Sequence, residues 1–166
     1  MPLIEVARLA LGATLTVVLV LAGVSDVRSR TIPNRSVLSV LGLFLIWTVA
    51  NHGAGLVSSL EAAGIALVVT VLLYAFKVFG AGDAKLFSAV ALFAGLEHLQ
   101  LLTIATAITG GVIGAVSLAS RPTRALTMIT LRGAGDYGRG IPYGVAISTG
   151  GVVTIWTALT LLIHQS

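Results

Sequence analysis

Asp83 stands in Gly80-Ala81-Gly82-Asp83-Ala84-Lys85, a polar break in a sequence otherwise suited to lipid. Ionisable groups are expensive at membrane depth, and those that occur there mark functional sites. The other aspartates are Asp26 and Asp136, and Asp26 also closes a long apolar run. Two carboxyl groups brought to one membrane boundary can hydrolyse a peptide without a metal. The ionised acid takes a proton from water while its protonated partner polarises the scissile carbonyl. Closely apposed acids do not both ionise readily, and partial burial disfavours the charge further, so such a pair shares a proton near neutral pH. Asp26 and Asp83 are therefore the expected catalytic pair of an aspartyl hydrolase.

The glycines beside Asp83 fit that chemistry. Gly80 and Gly82 permit unusual dihedrals and the close approach of another chain, so an extended substrate can add its backbone as a strand. The same residues also fit a helix ending at glycine, with Asp83 capping the next helix and Lys85 anchored at the headgroups. For Asp26 the plainer alternative is an interfacial acid neutralised by Arg28 or Arg30. Asp136 lies in Gly133-Ala134-Gly135-Asp136-Tyr137-Gly138, where turn formation accounts for it.

The elements that must position these acids are helices in a bilayer. At 57% hydrophobic and 10% charged residues over 166 positions, with mean hydropathy +1.04, the chain has too little polar surface to cover a soluble globule. The expectation is one integral membrane domain over residues 1–166, an all-α polytopic bundle. The net charge of +4 comes from scattered basic residues with no interleaved aromatics, which indicates a topology signal and no nucleic-acid partner. The absence of cysteine excludes disulfides, thiolate zinc and a cysteine nucleophile. His52, His98 and His164 are far apart and near span ends, so neither metal nor cofactor is expected. Glu5 and Arg8 stand at the start of the first apolar run without a cleavage signal, which marks it as a retained span.

Apolar runs cover residues 7–24, 36–50, 60–79, 84–96, 99–119 and 141–163. The fourth is short for a crossing and also fits a re-entrant half-helix. If all six cross, nine of the ten basic residues fall on one side, with only Arg8 opposite. The positive-inside rule then places Asp26, Asp83 and Asp136 at the cytoplasm and the N-terminus outside. Within the cytoplasmic loop 120–140, residues 125–131 read as a short interfacial amphipathic helix. Arg30-Thr31-Ile32-Pro33 and Arg139-Gly140-Ile141-Pro142 both lead into helices, with proline in the first turn. Gly110, Gly114 and Gly150-Gly151 suggest close helix packing. Trp47 suits an interfacial belt, and Trp156 a deeper position.

These residues resemble the type IV prepilin peptidases, membrane aspartyl proteases that include the archaeal preflagellin peptidases. The resemblance rests on three stretches in order: Asp26 with Arg28-Ser29-Arg30-Thr31-Ile32-Pro33-Asn34, Gly80 to Lys85, and Ile141-Pro142-Tyr143-Gly144 opening the last helix. It implies that Asp26 and Asp83 are catalytic and that Gly80, Gly82, Lys85, Pro33, Asn34, Pro142, Tyr143 and Gly144 bind substrate or shape loops. It further implies a substrate, a prepilin-like protein whose short basic leader is cut at the cytoplasmic face of the bacterial inner membrane, ahead of its hydrophobic helix. Larger members carry paired Cys-x-x-Cys motifs and also N-methylate the new terminus. This chain has no cysteine and is similar to the compact, peptidase-only form of tight-adherence (Flp) pili. The Gly-x-Gly-Asp motif also occurs in presenilin and signal peptide peptidase, but those place the first aspartate after tyrosine, whereas Asp26 follows Ser25. Two other classes remain open to the same residues: a proton-coupled transporter using the acids as a relay, and a non-enzymatic pilus-assembly subunit.

Overall fold

A computed structural model of the protein describes residues 3–119 and 143–165, and these are all-helical. The expectations for Asp136, for Pro142 and for the loop 120–140 with its amphipathic stretch lie outside the described residues. Five helices follow one another: α1 Leu3–Ser29, α2 Asn34–Ala50, α3 Leu56–Ala75, α4 Ala81–Ala119 and α5 Tyr143–Gln165. A crossing takes about 20 apolar residues. By length and composition α1, α3, α4 and α5 are long enough to cross a membrane, while α2 has 17 residues.

Helix ends are set by local chemistry. Arg30 takes a left-handed conformation (φ 53) and closes α1 with its N–H on the Asp26 carbonyl at 2.9 Å. Pro33 proves to be the N-cap residue of α2 rather than part of its first turn, with extended backbone (φ −68, ψ 140). Lys77 (φ 59) ends α3, and the N–H groups of Val78 and Phe79 return to the Leu73 carbonyl.

The fourth and fifth apolar runs belong to one 39-residue helix broken at Gly95 (φ 59, ψ −178). That conformation is open essentially to glycine alone. Leu96, beginning the second arm, donates its N–H to Ser58 Oγ at 2.9 Å, which satisfies a donor freed by the break. The two arms then run back beside each other, because neighbouring residues of α5 meet both of them. A Cβ on Gly151 would lie 2.9 Å from Val90 of the first arm, and one on Gly150 would lie 3.0 Å from the Thr106 nitrogen of the second. Gly12 admits Leu159 in the same way, so glycines do close the helix contacts.

The first arm of α4 is short because it is the centre of the bundle. Ala84 and every residue from Leu86 to Leu92 are buried, so no lipid-facing stripe is needed. The same core takes in Leu15 and Leu19 of α1, Val40 of α2, Ala66 of α3 and Ile147 of α5, and Phe44 of α2 is buried as well. Phe93 takes Phe44 edge-on at 5.4 Å and Trp47 at 6.1 Å. Trp156, expected deep, is 37% exposed on α5, its indole N–H donating to Thr16 Oγ1 at 3.1 Å.

The helices alternate in direction. Arg8 Nε donates to Asn51 Oδ1 at 2.8 Å, joining the start of α1 to the end of α2. Ser58 joins the start of α3 to the break in α4. The end of α1 and the starts of α2, α4 and α5 therefore meet at the opposite end. Gly95→Ala should lower stability by about 1–3 kcal/mol, read as a fall in the midpoint of thermal unfolding in detergent.

Candidate active site

Asp26 lies in the last turn of α1 and is buried, at 6% exposed. Its Oδ2 accepts the N–H of Gly144 at 2.8 Å, a bond that spans 118 positions of sequence. An N–H at the start of a helix has no carbonyl partner within that helix, and the helix dipole there favours an anion. Gly144 must lack a side chain to serve this way. A Cβ on it would stand 2.8 Å from Asp26 Cβ, 2.9 Å from Oδ2 and 3.0 Å from Cγ.

Asp83 is the third residue of α4 and half-buried. Its Oδ2 accepts the Gly80 N–H at 3.1 Å, while the Gly80 carbonyl accepts the Ala84 N–H at 3.0 Å. Asp83 thus supplies the N3 half of the N-terminal capping box to its own helix, Gly80 having no side chain to return the bond. The capping role and a chemical role coexist, since one oxygen takes the N–H and the other remains for further bonding.

The two acids share one cavity of ≈ 270 Å³, walled by Asp26, Arg30, Thr31, Ile32, Gly80, Ala81, Gly82 and Asp83. Arg30 supplies the cation of this cavity, whereas Arg28 lies on an apolar groove between α1 and α5. The space beside the two motif glycines is taken up by the protein itself. A Cβ on Gly80 would meet Asp83 Oδ2 at 2.7 Å, and one on Gly82 would meet Ile32 Cβ at 3.2 Å. Ile32 comes from the α1–α2 connection, whose Thr31 carbonyl accepts Ser25 Oγ at 3.2 Å. Gly82 is therefore where the segment after Asp26 closes onto the helix carrying Asp83.

Of the other expected site residues, Pro33, Asn34 and Lys85 are exposed and outside the cavity wall. Tyr143 is half-buried, its ring 5.1 Å from that of Phe79 at an interplanar angle of 40°. Arg30, Thr31, Ile32 and Ala81 join the cavity without having been singled out as site residues. Their signal was adjacency to the aspartates. Phe79 carried none beyond its place before Gly80.

The sequence model of the type IV leader peptidase family matches residues 13–115, more than half of the chain and a span containing both aspartates. The chain belongs to the type IV leader peptidase family. The match ends before α5, so the Gly144 contact is a structural addition to it. No curated protein and no solved structure matches the chain.

Gly144→Ala should cut peptidase activity by about 100-fold, the scale of misplacing a reacting group by about 1 Å. Gly42→Ala, whose added Cβ would meet nothing within 4 Å, should leave activity at the wild-type level in the same assay.

Proposed function

We propose that the protein is an aspartyl endopeptidase that removes the basic leader of prepilin-like proteins at the cytoplasmic face of the bacterial inner membrane. The observation that carries this reading is the shared cavity of Asp26 and Asp83 in a member of a leader peptidase family. In the mechanism, a water between the carboxyl groups gives its proton to the ionised acid. Its oxygen attacks the scissile carbonyl, whose oxygen receives a hydrogen bond from the protonated acid. The tetrahedral intermediate then collapses as the leaving amine takes a proton from the dyad. Gly144 and Gly80 each occupy one carboxyl oxygen of their aspartate, which leaves the other oxygens for water and substrate.

The distribution of charge supports the orientation. Arg28, Arg30, Arg35, Lys77 and Lys85 belong to the acid-bearing end of the bundle, while Glu5, Arg8, Glu61 and Glu97 belong to the other. The positive-inside rule assigns the acid-bearing end to the cytoplasm and the N-terminus to the outside. Counting the two arms of α4 separately, the described helices make six passes of alternating direction, and we propose six crossings. The short first arm crosses within a protein sheath, where lipid contact is not required of it. A leader on the cytoplasmic side then reaches both acids without crossing the bilayer. Pro33, Asn34 and Lys85, exposed and close in sequence to the residues of the cavity wall, are the proposed contacts for the substrate chain. The cysteine-free sequence supports peptidase activity without N-methylation, as in the Flp-pilus branch.

Co-expression with a Flp-type prepilin, followed by mass spectrometry of the pilin N-terminus, tests the proposal. Asp26→Asn and Asp83→Asn should each reduce leader removal by about 10²–10⁴-fold while the protein still inserts and folds. Full processing by both variants would remove the aspartyl mechanism.

A further inference from the structure

The acid-bearing helices are docked on α5 and are not a packed pair with each other: extensive contacts join α4 to α5 and α1 to α5. The spacing of the two acids therefore depends on what links their holders at this end of the bundle. One link is Ile32 against Gly82. The other is aromatic. Phe79 immediately precedes Gly80, whose N–H holds Asp83, and Tyr143 immediately precedes Gly144, whose N–H holds Asp26. The two rings lie 5.1 Å apart, within the favourable range for an aromatic pair. Gly110 of the second arm lies near the Tyr143 ring, where a Cβ would stand 3.7 Å from Cε1, and both rings line an apolar cavity with it. Neither ring lines the acid cavity.

We propose that the Phe79–Tyr143 contact is a positioning strut that sets the distance between Asp26 and Asp83 through their two donor glycines. Successive Cα atoms are about 3.8 Å apart across a trans peptide, so a backbone shift at Phe79 or Tyr143, once their rings no longer hold each other, carries the adjoining glycine N–H with it. A small displacement of either donor moves a carboxyl group out of register with the shared water. The role is one of shape, so the tyrosine hydroxyl is not required. The catalytic consequence rests on the aspartyl peptidase reading given above, but the geometric one does not.

Two readouts on the full-length protein in proteoliposomes test the strut. The first is a cycle of Phe79→Ala, Tyr143→Ala and the double variant, assayed on a synthetic prepilin leader peptide beside Tyr143→Phe. Each alanine should lower kcat by about 10- to 100-fold with KM held within about twofold. The double variant should be no worse than the weaker single, and Tyr143→Phe should match wild type. Multiplicative losses, a raised KM with kcat intact, or a Tyr143→Phe loss equal to that of Tyr143→Ala would each overturn the proposal. Any alanine variant that does not fold is replaced by leucine.

The second readout does not use activity. The chain contains no cysteine, so spin labels at Val27→Cys and Lys85→Cys, both exposed positions, report the separation of the acid-bearing segments. The distance distribution should shift or broaden in Phe79→Ala and Tyr143→Ala and stay as in wild type in Tyr143→Phe. An unchanged distribution in both alanine variants would refute the strut even if the wild-type protein cleaved no leader. A wild type without cleavage but with the expected distance changes would refute the peptidase reading alone.

Discussion

Everything at the acid-bearing end depends on holding two carboxyl groups together in a place where water cannot do the holding. Each is fixed by one backbone N–H from a glycine, Gly144 for Asp26 and Gly80 for Asp83. A backbone donor is rigid and adds no titrating group of its own. Its use demands a close approach, which is why a Cβ at either glycine would collide with the carboxyl group it holds. The remaining architecture delivers those two N–H groups to one spot.

That delivery sets the order of the helices. Because α1 ends at the site, α5 must begin there, and Gly12, Gly23 and Gly151 let the contacts of α5 with its neighbours form at short range. The arm that carries Asp83 is buried from Leu86 to Leu92, and the chain turns back at Gly95 so that its second arm covers α5 as well. Between lipid-exposed helices, apolar burial gives little net drive, and association rests on such close packing and on hydrogen bonds across helices. Ser148 Oγ donating to the Leu19 carbonyl at 2.6 Å is a bond of that kind.

The aspartates, the glycines and the helical class were legible because each departs from, or conforms to, a rule that acts locally. A carboxyl group in apolar sequence asks for a purpose, and long apolar runs in lipid must be helices. What was not legible is what each glycine admits. Gly80 and Gly82 promise a close approach, but only the fold shows Asp83 and Ile32 filling those places. Gly144 had no sequence mark tying it to Asp26, since the bond joins residues 118 positions apart. The reversal between the fourth and fifth runs was legible, but not its place at Gly95, which only the backbone conformation shows. Trp156 looked deep because its neighbours are apolar, yet in a bilayer the outside of a helix is apolar too. Arg28 and Arg30 were indistinguishable partners for Asp26 until the left-handed turn at Arg30 separated them.

The proposed function requires Asp26 and Asp83 to act on one scissile bond as a pair. The most direct measurement is an experimental structure of the protein bound to a leader peptide whose scissile amide is replaced by a hydroxyethylene group, the mimic of the tetrahedral intermediate. The hydroxyl should lie within hydrogen-bond distance of both carboxyl groups, with the Gly144 and Gly80 bonds intact. A peptide bound with its hydroxyl on other side chains, or on one aspartate with the other turned away, would contradict it.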